Sequence, residues 1–264
     1  MKTRRKKIEE LLWLSGLHAP ARSLHAATFG RQAAIARNKM REFFGKILEP
    51  GALVFDIGAN MGVLSAVFTS LGARVVALEP NADCVRHIQL SYAGEKLEVI
   101  QAAAGQANGL IVLNVADESD AKSSVSKEWM TAIGEQDQSY RGVWTRRTVV
   151  PMVTLDTLIG QYGVPHYIKI DVEGFEESVL SGLSIQPKML SFEFHLSFLP
   201  AALHCLDMGV FASGSTFNFV CNPEWGYPAR FESEHWMKKE DLAKRLRGLT
   251  GQDTQGDIFV KAPE

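Results

Sequence analysis

Residues 54–64 read VFDIGANMGVL, and a helix-length gap later residues 75–80 read VVALEP. Few patterns constrain a fold more tightly. The apolar run Leu53-Val54-Phe55 ends in Asp56 and a turn containing Gly58 and Gly62; the second run ends in one carboxylate, Glu79. Short apolar runs separated by a helical stretch mark a βαβ unit with a parallel sheet. A glycine turn after the first strand lets backbone approach a ligand, and an acid ending the second strand is placed to accept hydrogen bonds from a ribose. The pair points to an adenosine-containing cofactor.

The spacing discriminates between cofactors. A dinucleotide fingerprint runs G-x-G-x-x-G, with a helix N-terminus facing a pyrophosphate. Here the glycines stand four apart in Gly58-Ala59-Asn60-Met61-Gly62, with Asp56 just before them. An anion beside the turn repels a pyrophosphate and suits an ammonium group. S-adenosylmethionine has that group, a sulfonium, and a ribose with two free hydroxyls. The expected contacts are Asp56, Gly58, Ala59, Asn60, Gly62, Glu79 and Pro80. A tight turn in a ligand-free α/β protein is the alternative.

The 264 residues suit one α/β domain with an extension. The net charge of −2 hides an asymmetry: residues 1–46 carry 11 Lys/Arg against 3 acids, the remainder 17 against 27. Pro50-Gly51 divides a basic, helical N-terminal extension, 1–50, from the main domain, 51–264. Within the extension, the basic run 2–7 precedes Leu11-Leu12-Trp13-Leu14, too short to span a membrane and poorly formed as a signal peptide. It reads either as a helix on an anionic membrane surface or as a solvated or core-docked helix. Nucleic acid is not an expected partner, because the main domain is acidic. Cys84, Cys205 and Cys221 are odd in number and widely spaced, which fits a reduced, cytoplasmic setting and neither zinc nor a disulfide framework.

Along the chain, strand, helix, strand and helix run from Leu53 to Tyr92, with a third strand at Leu97–Ile100 and a fourth apolar run at 110–113. Asn108-Gly109 between these two is a hairpin signal. Residues 117–141 are polar and turn-rich without apolar periodicity, and read as a long loop. Thr154 is a candidate N-cap. Residues 167–171 form a buried strand ending in a carboxylate, followed by Gly174 and a helix through Leu180. The next strand is Met189–His195. A helix at 199–208, a strand at 217–220, a helix at 239–247 and a last strand at 257–261 complete a largely parallel sheet with helices on both faces. Asn222-Pro223-Glu224-Trp225-Gly226-Tyr227 reads equally as a binding loop and as a packed surface loop.

In this order, VFDIGANMG (54–62), ALEPN (77–81), AAAG (102–105), VTLDTL (153–158), YIKIDVEG (167–174) and FEFH (192–195) make the chain resemble the FkbM family of S-adenosylmethionine-dependent methyltransferases. The resemblance spans roughly residues 53–195. It implies a Rossmann-like class I methyltransferase fold, with a seven-stranded, mostly parallel sheet whose last strand is antiparallel. It also implies methyl transfer to an oxygen of a sugar, a glycan or glycolipid, or a natural product. Ala103 and Asp171 join the expected cofactor contacts through these motifs. N-methylation would favour an Asn/Asp-Pro-Pro-Tyr/Phe motif, which the chain lacks, and a non-catalytic adenosine-binding protein is the other alternative.

Ligands of open α/β sheets sit beyond the carboxyl ends of the strands. Asp56, Glu79, Asp171, Glu193 and His195 all end strands there. Strand periodicity puts Lys169 and Asp171 on one side of their strand, and Glu193 and His195 on one side of theirs. A hydroxyl is a poor nucleophile, so a base or a Lewis-acidic metal must help. His195 is the expected base, since imidazole titrates near the working pH. Asp171 is the second candidate, and Mg²⁺ held by Asp171, Glu193 and His195 is a further scheme, though no metal is assigned. Lys169 reads as a catalytic group or as the partner of a neighbouring carboxylate. Glu173 and Glu176 are expected on the first turn of the following helix.

Overall fold

The computed structural model describes residues 33–92, 96–116, 123–136, 143–221, 230–251 and 254–263. The basic run 2–7, the apolar segment 11–14 and the aromatic stretch 222–227 lie outside them. Among the described residues there are ten strands: β1 (Leu53–Ile57), β2 (Arg74–Leu78), β3 (Leu97–Ile100), β4 (Ala103–Ala104), β5 (Gly109–Ala116), β6 (Trp144–Val153), β7 (Tyr167–Ile170), β8 (Met189–His195), β9 (Thr216–Cys221) and β10 (Gln255–Lys261). Seven form the main sheet in the order β3-β2-β1-β7-β8-β10-β9. β1, β2, β3, β7 and β8 pair in parallel; β10 is antiparallel to both β8 and β9. The expected sheet, with its last strand reversed, is present.

Both faces of the central strands are covered, which is why they read as continuous apolar runs rather than as an alternation. Phe55, Ile57, Ile168, Ile170 and Phe192 pack on one face beneath the helices Leu155–Tyr162, Glu176–Ser181 and Leu199–Asp207. Val54, Val75, Tyr167 and Phe259 face the other way, against Phe68 of helix Val63–Ser70 and against Phe43 and Phe44 of the helix over residues 33–44. Phe44 meets Phe68 edge-on at a centroid separation of 4.9 Å, and Tyr167 stacks on Phe259 at 6.2 Å. The end of the basic extension therefore contributes two fully buried rings to the core. Thr154 caps its helix as expected, its side chain accepting from the Thr157 N–H at 3.1 Å.

Two expectations are corrected. The third and fourth apolar runs do not form a hairpin: β3 pairs with β2 in the main sheet, whereas β5 pairs antiparallel with β6 in a separate sheet of order β4-β6-β5. The Asn108 side chain is committed elsewhere, accepting from the Thr154 N–H and donating to Thr157 Oγ1, both at 3.0 Å. Nor is 117–141 simply a loop, because Lys127–Gln136 is a helix. Ser126 Oγ accepts from the Trp129 N–H at 3.1 Å at its start, and the helix buries Trp129 and Ile133. A stripe of two large residues at i and i+4 is too narrow to stand out as amphipathic periodicity.

Candidate active site

The turn after β1 crosses the end of β7, and glycine makes that possible. Gly58 has φ +82°, and a Cβ there would lie 1.8 Å from the Asp171 carbonyl oxygen. The turn is fixed to β2 by Glu79. Glu79 Oε2 accepts from the Asn60 N–H at 2.8 Å, and Oε1 from the Asn81 N–H at 2.7 Å. Beyond these strand ends lies an inner cavity of about 260 Å³ lined by Gly58, Asn60, Glu79, Pro80, Ala103 and Asp171. A carboxylate at the end of β2, facing the cavity, fits the two hydroxyls of a ribose, so the residues present suit an adenosine cofactor.

Three expected contacts do not line this cavity. Asp56 is only 2 % exposed, and its carboxylate accepts from Ser65 Oγ at 2.5 Å on helix Val63–Ser70. It holds the turn from behind. Burial raises its pKa to about 6 despite the Ser65 hydrogen bond and the nearby Lys169. Ala59 packs with Ala77 and Ile88, and Gly62, at φ +75°, lets helix Ala82–Ser91 approach: a Cβ would lie 2.9 Å from Ile88 Cγ1.

Lys169 is 1 % exposed and does not line this cavity. Its ammonium lies 2.7 Å from Asp257 Oδ1 and 3.2 Å from Asp171 Oδ2. Burial alone would lower its pKa, yet Asp171 and Asp257 hold it well above the usual lysine value. The geometry is that of a buried ion pair, the partner role that the sequence also allowed for Lys169. Asp171 is thereby tied to β10 at the rim of the inner cavity.

Of the two acids expected on the first turn of the following helix, Glu176 stands there and Glu173 does not. Glu173 stands in the turn before the helix, at φ +55°, and lines the inner cavity. Glu176 opens the helix, but its carboxylate turns back and accepts from the Val172 and Gly174 N–H groups at 3.2 and 3.3 Å. Burial raises its pKa to about 7, partly offset by those bonds. One carboxylate oxygen each from Asp171, Glu173 and Glu193 falls within 4.8 Å of the others. His195 is not in this cluster, so the structure does not bring together Asp171, Glu193 and His195 as the further metal scheme required.

A second, outer cavity of about 360 Å³ adjoins the first. Glu193 and Phe175 line both. His195 lines only the outer one. Its Nδ1 accepts from the Ser197 N–H at 3.2 Å and also contacts Ser197 Oγ, capping the short 3₁₀ turn Leu196–Phe198. With Nδ1 accepting, the neutral ring carries its proton on Nε2. The Glu193 pKa is raised well above the usual glutamate value, by burial first and then by the charges of Asp171 and Glu173. The sequence reading missed the outer wall, where Trp129 stands against Gly174. Gly174 has φ +87°, and a Cβ there would lie 2.2 Å from the Trp129 Cβ. The glycine of KIDVEG was the available signal; the tryptophan lay in a segment without periodicity.

A family model described as the methyltransferase FkbM domain matches residues 56–211, a span that holds the glycine turn, Asp171, Glu193 and His195. No curated protein matches the chain. Among solved structures, precorrin-6y C5,15-methyltransferase from Geobacter metallireducens GS-15 is similar at 13% identity and TM-score 0.43, covering 88% of this chain and 86% of that one. A TehB-like SAM-dependent methyltransferase from Corynebacterium glutamicum ATCC 13032 Kitasato is 11% identical at TM-score 0.39, covering 92% and 99%. Magnesium protoporphyrin IX methyltransferase from Synechocystis PCC 6803, with bound SAM, is 10% identical at TM-score 0.40, covering 93% and 83%. With the family match spanning both cavities, the chain belongs to the FkbM methyltransferase family and is an S-adenosylmethionine-dependent methyltransferase.

Proposed function

We propose that the acceptor atom is a hydroxyl oxygen of a sugar, a glycan or glycolipid, or a natural product, that the acceptor occupies the outer cavity, and that Glu193 takes its proton. The observation that carries this reading is Glu193 itself, the ionisable side chain common to both cavities. When bound, S-adenosylmethionine supplies a methyl group on a positively charged sulfur, whose bonding pair stays with the sulfur as the methyl leaves. Glu79 and the turn at Asn60 hold the ribose end. Asp171, fixed by Lys169, borders the reacting end. Positive charge in the inner cavity favours the ionised form of Glu193, against the burial that raises its pKa, and so readies the carboxylate as a base. His195, with its proton on Nε2, donates to an acceptor oxygen and orients it, which replaces its expected role as base.

The carboxylate cluster favours a second reading, in which Asp171, Glu173 and Glu193 hold Mg²⁺ that acidifies the hydroxyl. Lys169 beside Asp171 weighs against it, since one carboxylate already faces a cation. The proposal retains the cytoplasmic setting expected from the cysteines, the absence of a nucleic-acid partner and a peripheral membrane contact through the basic N-terminus. Among the described residues no helix is long and apolar enough to cross a membrane.

The test is radiolabelled methyl transfer from S-adenosylmethionine into fractionated cell extract, with identification of the labelled product. A methyl ether supports the reading. A methylamine moves the acceptor to nitrogen, and loss of activity in EDTA with recovery in Mg²⁺ selects the metal scheme.

A further inference from the structure

The two cavities carry like charges for different reasons. In the inner cavity, Glu79, Asp171 and Glu173 face a cofactor that brings ribose hydroxyls, an ammonium and a sulfonium. Those groups account for the carboxylates there. Beyond Glu193, the outer cavity is lined by three further carboxylates, Glu128, Glu176 and Glu177, and by no lysine or arginine among the described residues. None of these three reaches the inner cavity, so the cofactor does not account for them.

Their local partners are few. Glu177 lies 3.3 Å from His204 Nε2 on an exposed edge, and Glu176 is satisfied by two backbone N–H groups without a cation. Glu128 is exposed and makes no ion pair among the described residues. A concave site lined by one sign of charge concentrates the opposite sign, because low-dielectric walls focus the field. It also rejects ligands of its own sign, a discrimination by repulsion. Trp129, Phe194 and Phe198 supply apolar surface beside these acids. Aromatic faces attract cations and pack against the carbon faces of small polyhydroxylated rings.

We infer that the outer cavity takes an acceptor carrying a protonated amine near the hydroxyl to be methylated, an amino sugar or similar amino alcohol. This rests on the outer cavity being the acceptor site. Acceptors bearing phosphate or carboxylate, sugar nucleotides among them, are excluded by the same field.

The experiment uses the full chain saturated with S-adenosylhomocysteine and three matched probes at pH 7: methyl β-D-glucosaminide, methyl β-D-glucoside and methyl β-D-glucuronide. Binding is followed by saturation-transfer NMR, with calorimetry of S-adenosylhomocysteine alongside. The glucosaminide should bind about tenfold more tightly than the glucoside, and the glucuronide more weakly than either. In Glu128→Gln/Glu177→Gln the preference should fall below about threefold, while S-adenosylhomocysteine affinity is unchanged. Raising salt from about 50 to 500 mM should erode the preference in the wild type. Equal binding of amine and neutral probes, preference for the glucuronide, or a preference that survives in the double variant would overturn the inference. If S-adenosylhomocysteine binds and no probe does, the amine assignment fails while the cofactor site stands. If S-adenosylhomocysteine does not bind, the proposed function itself falls, and this inference with it.

Discussion

The Asn60 backbone N–H donates to Glu79 Oε2 at 2.8 Å, so the turn after β1 and the acid after β2 hold one another in the wall of the inner cavity. A second bond, from the Asn81 N–H to Oε1 at 2.7 Å, fixes the carboxylate plane. Glu79 is thus both the expected ribose acceptor and the clamp on the turn that lines the same cavity.

Glu79→Ala should weaken S-adenosylmethionine binding by about 1.5–3 kcal/mol, the range for hydrogen bonds to a charged group. Calorimetry on the folded variant measures this, and unchanged affinity would remove Glu79 from the site. Glu79→Gln should fall between the two, since an amide presents only one acceptor to two N–H donors.

Asp56 makes stability depend on pH. Its folded pKa, about 6, lies above the ordinary 3.8 because burial penalises the charge. The folded state therefore binds the proton more tightly than the unfolded chain. That contribution is fully present below pH 4 and is lost as the pH rises through 6. Two pKa units correspond to about 3 kcal/mol as an order of magnitude. Asp56→Asn cannot ionise, so its Tm relative to wild type should be more favourable at pH 8 than at pH 4. A constant difference across that range would show that Asp56 carries no such penalty.

The main sheet was legible because its strands are buried on both faces. Leu53-Val54-Phe55 and Tyr167-Ile168-Lys169-Ile170 read as apolar runs, and the acids after them fall at one sheet edge. The three-stranded sheet was not. β5 ends in Asn114-Val115-Ala116 and pairs with β6 across a long insertion, a non-local contact that no local period announces. Helix Lys127–Gln136 was hidden by its two-residue stripe. Within the site, residue types were readable and their directions were not. Asp56 turns inward to Ser65, Glu176 turns back to its own loop, and His195 gives Nδ1 to a backbone N–H. The donors lie nine residues away for Asp56 and only two to four away for Glu176 and His195. The choice among such nearby donors is set by local backbone geometry that no residue pattern announces.

Lys169 gives a stability prediction separate from the chemistry. Removing one partner of a buried ion pair leaves the other uncompensated and costs about 3–5 kcal/mol. Lys169→Met should lower stability by that amount in chemical denaturation, with Asp257 left buried. Lys169→Met/Asp257→Leu should recover most of the loss, because an apolar pair of similar volume removes the stranded charge. No recovery in the double variant would mean that the lysine acts chiefly through Asp171 at the cavity rim.

The central claim is that Glu193, between the two cavities, takes the acceptor proton. It is tested most directly by comparing Glu193→Gln with wild type in methyl transfer to the acceptor identified from extract, with the S-adenosylhomocysteine Kd measured on the same samples. Glutamine keeps the size and loses the base. The account predicts that kcat falls by about 10²–10⁴-fold, the usual contribution of a positioned base. The Kd of S-adenosylhomocysteine, which lacks the sulfonium charge, should stay within about threefold, less than 1 kcal/mol. Wild-type turnover in Glu193→Gln would contradict it.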